Sequence, residues 1–159
     1  MRAVAPPRHP SAAAHVCAAR WVELAPLAAR FIRAQMLERM PGLTIAQFRA
    51  MSFVYRLRGC SLRSLSEHLG VTPPTCSALV ARLVARGVVT RTPNLANRRE
   101  VVLRLTPAGK AQFEAAKDAA RKRTAQVLAP LPDEVLRRLA QDLGELATAF
   151  TITEANPER

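Results

Sequence analysis

The chain has 159 residues, 49% hydrophobic and 4% aromatic, which fits one domain of ordinary size with a mainly aliphatic core of Leu, Val and Ala. No apolar run reaches the roughly 18 residues of a membrane span, and the sequence offers no nucleophile elbow, phosphate loop or paired-carboxylate motif, so no catalytic residues and no cofactor are expected. The net charge of +12 is uneven: +5 over residues 1–55, +7 over 56–104 and zero over 105–159. Arginine supplies 21 of the 24 basic residues, as a codon bias would, but bias does not explain a neutral last third beside a strongly basic middle. A basic middle selects a polyanion, most often nucleic acid.

In chain order, residues 1–19 read as a flexible amino-terminal arm, because prolines and His9 break any leader-like apolar stretch. A helix is expected over 20–39, with Leu24, Leu27, Phe31 and Ile32 on its apolar side, ended by Pro41 and Gly42. Thr44 and Gln47 form a capping-box pattern for a second helix, whose apolar face reads Ile45, Phe48, Ser52 and Tyr55 with Met51 beside it, and Gly59 stops it. Ser61 caps a short helix with Leu62, Leu65 and Leu69 at helical spacing, closed by Gly70. Thr72 and Pro73 open the next, striped by Cys76, Leu79, Val80 and Leu83 and closed by Gly87. Two short helices joined by a Gly-containing turn read as helix-turn-helix. The β-rich runs VVTRT and EVVLRLT flank a polar tip, PNLANRR, and a hairpin directly after a helix-turn-helix makes a wing. Thr106 and Pro107 begin a long helix to about Leu128, and a last helix from Asp133 to about Phe150 carries Leu136, Leu139, Leu143, Leu146 and Phe150. The expected fold is mainly α with a small β-hairpin wing, a winged helix-turn-helix plus a helical dimerisation region. Its divisions are 1–19 (arm), 20–42 (first dimerisation helix), 43–106 (DNA-binding domain), 107–150 (carboxy-terminal dimerisation helices) and 151–159 (tail).

Residues 22–150 resemble the MarR family of bacterial transcription regulators. LTIAQFRAM, the helix-turn-helix LRSLSEHLGVTPPTCSALVARLVARGVVTR and the wing exit NRREVVLRLTPAGK carry the resemblance. The last is the most specific, since the family wing usually reads Asp-Arg-Arg, then a strand, then Leu-Thr-x-x-Gly. The resemblance implies a homodimer in which the first and last helices intertwine, with a winged helix on each subunit binding a pseudo-palindromic operator in double-stranded DNA. Asn94 and Asn97 stand where the family often has Asp. Asn offers the wing a neutral hydrogen bond in place of a salt bridge, and leaves the tip more positive.

The resemblance implies that Arg99 enters the minor groove, while Arg98 contacts phosphate; a narrow A·T-rich groove concentrates negative potential and draws in a guanidinium. On the second helix of the motif, Pro74, Ala78, Ala81 and Ala85 lie opposite the apolar stripe, flanked by Thr75, Ser77 and Arg82. That face lacks a central Asn, Gln or Arg for bidentate base readout, so specificity should come more from the wing and DNA shape. The candidate DNA-binding residues are therefore Thr72, Pro74, Thr75, Ser77, Ala78, Arg82, Asn97, Arg98 and Arg99. Arg82 and Arg86 either contact DNA or serve the fold, by pairing with Glu67 or covering the core. Trp21, the one tryptophan, reads as a core or dimer-interface residue first and a ligand-pocket residue second.

The three cysteines, with no CxxC pairing, fit a reducing cytoplasm. Cys76 reads as a small core residue. Cys60 precedes a helix amino terminus, where a thiol pKa can fall. Cys17 lies where some members of the family carry a peroxide-sensing thiol, although those need tyrosine partners and this chain has only Tyr55. Cys17 and Cys60 are thus the candidate redox positions. His9, His15 and His68 show no metal-ligand spacing, so no metal site is expected. The expected function is a cytoplasmic, dimeric, operator-binding regulator, released by a small-molecule effector or an oxidant, with no membrane partner. The alternatives are a protein-interaction module and a low-specificity DNA binder.

Overall fold

Six helices and three short strands follow from the caps and breakers of the chain, in a computed structural model that describes residues 9–93 and 101–155, the last five by backbone alone. The first helix, α1 (Ala12–Glu38), starts eight residues before its expected position. The Ser11 hydroxyl accepts the Ala14 amide at 3.1 Å, and the alanines that follow are the best helix formers, so the residues after Ser11 are helix rather than arm. Pro26 lies inside α1, where it cannot donate back along the ladder. Near the end of α1, Met36 is buried, and so is Met40 just beyond it; Val16, Val22, Leu24, Leu27 and Ile32 are exposed along its length.

At α2 (Ile45–Arg56) both arms of the capping box are present: Gln47 N–H donates to Thr44 Oγ1 at 3.2 Å and Thr44 N–H to Gln47 Oε1 at 2.9 Å. Its buried face differs from the expected stripe, being Gln47, Phe48, Ala50, Met51, Phe53 and Val54, while Ile45 is exposed. The helix is covered on more than one side, by α3 and by the Phe113 ring, which lies 6.0 Å from Phe48 and 4.7 Å from Tyr55. A single three-four stripe is too narrow to describe such a helix.

Ser61 caps α3 (Leu62–Leu69) through the Ser64 amide, and Gly70, at φ 69°, ends it in the left-handed conformation. Pro73 takes the first position of α4 (Pro73–Ala85), which buries Cys76, Val80 and Leu83. Thr72 occupies the N-cap position without capping, since its hydroxyl is engaged with that of Thr75 at 2.9 Å. The strands β2 (Val89–Pro93) and β3 (Val101–Leu105) pair antiparallel, Val89 with Leu105 through Pro93 with Val101. A further strand, β1 (Cys60–Ser61), pairs with β3 on its other edge, giving the order β1-β3-β2. Two residues are too few to show a period, so this strand was invisible to the sequence reading.

Thr106 sets the start of α5 (Pro107–Leu128): its hydroxyl donates to Gly87 O at 2.7 Å and accepts the Gly109 amide at 2.9 Å. Asp133 and Glu134 occupy the first turn of α6 (Asp133–Ala155), favourable to its dipole. Leu143 and Phe150 on α6 are exposed.

The chain divides into two compact units, residues 1–120 and 121–159. The core lies in the first, and three of the five phenylalanines and three of the four methionines are in it, so it is less purely aliphatic than composition suggested. No helix among the described residues is long and apolar enough to cross a membrane.

Candidate nucleic-acid interface

The helix-turn-helix turns one face of α4 outward because the other is committed to the core. Cys76, Val80 and Leu83 are at most 1% exposed, and Leu79 is half-buried beside them. Opposite, Thr72, Pro74, Thr75, Ala78, Ala81, Arg82 and Ala85 are all exposed, as the apolar stripe required. Ser77 is different. It is half-buried, and Arg91 of β2 donates through Nη2 to its carbonyl at 3.0 Å and its Oγ at 3.2 Å. Ser77 is therefore part of an anchor between the base of the wing and α4. Arg91 was missed by sequence reasoning because the contact spans 14 residues and no local pattern announces it.

Few carboxylates oppose the cations here. Glu67 pairs with Arg63 at 2.9 Å, one turn along α3, and not with Arg82 or Arg86. Arg86 instead donates to the Gly42 and Pro41 carbonyls. Among the described residues, the exposed Arg82 guanidinium meets no hydrogen-bond or ion-pair partner. Asn94, Asn97, Arg98 and Arg99 lie outside the described residues, in the sequence between β2 and β3.

The thiols separate by burial. Cys76 is 0% exposed with its Sγ 3.9 Å from Leu62 O, and burial raises its pKa, only partly offset by the charge of Arg91. Cys60 corrects the sequence reading. Its place in β1, opposite Leu103, buries it, and loss of solvation pushes the thiol up to about 11 despite a hydrogen bond with Ser64. Cys17 is exposed on α1. Trp21 is half-buried on the same helix. His68 stacks on Phe53, centroids 4.1 Å apart, and its pKa falls through desolvation and then the charges of Arg56 and Arg49.

A cleft of about 690 Å³, also unforeseen, lies among the end of α2, β3 and the start of α5. Arg56, Arg58, Arg104 and Lys110 line it with one carboxylate, Glu114, which accepts from Tyr55 Oη at 3.4 Å and sits 3.8 Å from Lys110 Nζ.

A buried-striped helix-turn-helix whose second helix is tied to a β-hairpin defines the winged helix-turn-helix class. Residues 42–100 match the MarR family. The chain is 28% identical over 125 residues to the HTH-type transcriptional repressor MdtR of Bacillus subtilis, covering 77% of this chain and 81% of that protein. It superposes on the transcriptional regulator Tm0710 of Thermotoga maritima with a TM-score of 0.71 at 26% identity, covering 88% and 98% of the two chains. The YusO protein of Bacillus subtilis gives 0.58, also at 26%, covering 87% and 99%. Over residues 42–100 the chain carries the winged helix-turn-helix of the MarR family of transcription regulators, and it is similar to DNA-binding regulators of that kind along most of its length.

Proposed function

We propose that the chain binds a pseudo-palindromic operator in double-stranded DNA as a homodimer and represses transcription from it. The observation that carries this reading is the exposed face of α4, clipped to the wing by Arg91 in the stretch of the chain with net charge +7. On it, Thr72, Pro74, Thr75, Ala78 and Arg82 face the major groove, Ser77 and Arg91 fix the helix to the wing, and Asn97, Arg98 and Arg99 serve the wing tip. The exposed apolar side chains of α1 and α6 supply the dimer surface, since apolar stripes of this kind are normally covered. Repression is the role named for the Bacillus subtilis relative.

For the effector, the basic cleft beside Tyr55 offers a seat for a small organic anion, and its volume lies in the usual range for ligand sites. An oxidant would have to act at Cys17, because Cys60 and Cys76 are buried. A second reading is a binder of DNA shape with little sequence preference, favoured by the donor-poor centre of α4, where alanines stand. A gel-shift titration against DNA upstream of its own gene and against a scrambled duplex tests both. Preference for the upstream DNA supports the operator, equal affinity supports the shape reader, and no binding to either removes DNA as the partner.

A further inference from the structure

The C-cap of α4 is Arg86, and its side chain reaches back across 44 residues of sequence. Nη1 donates to Gly42 O at 2.7 Å and Nη2 to Pro41 O at 2.8 Å, so one guanidinium grips two successive carbonyls of the turn between α1 and α2. The turn is shaped for it. Gly42 has φ 76°, and a Cβ at this position would stand 3.1 Å from Nη1, so an alanine there would be strained and would crowd the fork. A planar fork satisfies two acceptors where an ammonium behaves as a point charge.

We infer that Arg86 is a positioning residue for DNA binding, a brace that sets the pitch of the recognition helix α4 against the turn between α1 and α2. The inference rests on the paired-operator reading above. The body of α4 is held by Cys76, Val80 and Leu83, all buried, so the exposed brace acts on the angle of the helix more than on its attachment. With 13 residues, α4 is about 20 Å long, and a rotation of about 5° about its carboxy-terminal end moves its amino-terminal end by about 2 Å. That is more than half the roughly 3.4 Å step of a base pair. A brace at this end therefore governs whether two recognition helices fall in register with two half-sites. Arg82, one turn earlier, is the contrast: it belongs to the DNA face.

The test uses a duplex selected by the wild-type protein from a random library, the same duplex with one base pair added or removed between half-sites, and a single half-site. Wild type should favour the selected spacing by about tenfold or more over the altered ones. Arg86→Ala should keep half-site affinity within about twofold and compress the spacing preference to less than about threefold, with Arg86→Lys between the two. Arg82→Ala should weaken every duplex alike and leave the spacing ratio intact. An unchanged spacing ratio in Arg86→Ala overturns the brace, as does a parallel loss on half-site and full site, which would mark a phosphate contact. Failure of both Arg86 variants to fold would make the residue a fold determinant and also overturn it. A wild type indifferent to spacing but bound to the half-site would remove the paired operator first, and the brace with it.

Discussion

Gly109 has a carbonyl where a side chain would go. A Cβ built on it falls 2.1 Å from Val88 O, while the Thr106 hydroxyl holds the same turn by accepting the Gly109 amide. This close approach is a physical reason for the Leu-Thr-x-x-Gly exit of the wing. Gly109→Ala should destabilise the chain by roughly 1–3 kcal/mol through overpacking against backbone, read as a lower urea midpoint. Gly144 on α6 has nothing within 4 Å of its Cβ position, so Gly144→Ala should gain about 0.4–1 kcal/mol. Equal midpoints for the two variants would contradict this contrast. Cys60 is held up at about 11 from 9.0, so its neutral form is favoured on folding. That contribution is fully present below pH 9 and lost as pH rises through 11. At pH 8 a thiol reagent should modify Cys17 quickly and reach Cys60 and Cys76 only in denaturant, and Cys17→Ala should abolish the fast phase. Rapid modification of that variant would mean the core opens readily.

At the scale of elements, whatever was written locally could be read. The capping box of α2, the Ser61 and Gly70 bounds of α3 and Pro73 opening α4 are each decided within a few neighbouring residues, and the β2–β3 pairing shows as two β-rich runs on either side of a polar stretch. What could not be read depends on distant partners: β1 exists only because β3 lies beside it, and Arg91 meets Ser77 only after folding. The early start of α1 was legible in Ser11 and the alanines but was outweighed by the prolines before them. Because Arg91 fastens the wing to α4, Arg91→Ala should weaken DNA binding by about 1–3 kcal/mol while leaving thermal stability nearly unchanged. A drop in melting temperature of many degrees without loss of binding would place Arg91 in the fold alone. At the wing tip, Arg99→Ala should cost more affinity than Arg98→Ala and relax the preference for A·T pairs flanking the site, because a narrow groove focuses potential and a phosphate does not. Equal losses with unchanged A·T preference would reduce the pair to a positive patch.

At the scale of the whole molecule, the exposed Val22, Leu24, Leu27 and Ile32 of α1 and Leu143 and Phe150 of α6 predict a dimer. Light scattering should give twice the chain mass of 17.4 kDa, and removal of residues 133–159 should abolish the dimer, while removal of residues 1–10 should not. The basic middle of the chain, with its net charge of +7, is suited to displacing counterions from DNA. With roughly six to ten phosphate contacts per dimer, affinity for a duplex should fall on the order of a thousandfold or more between 50 and 200 mM salt. Fluorescence anisotropy of a labelled duplex from upstream of the gene, titrated across that range, measures this directly. Log affinity should fall steeply and linearly with log salt, and a flat response would mean that the basic middle does not meet DNA phosphates.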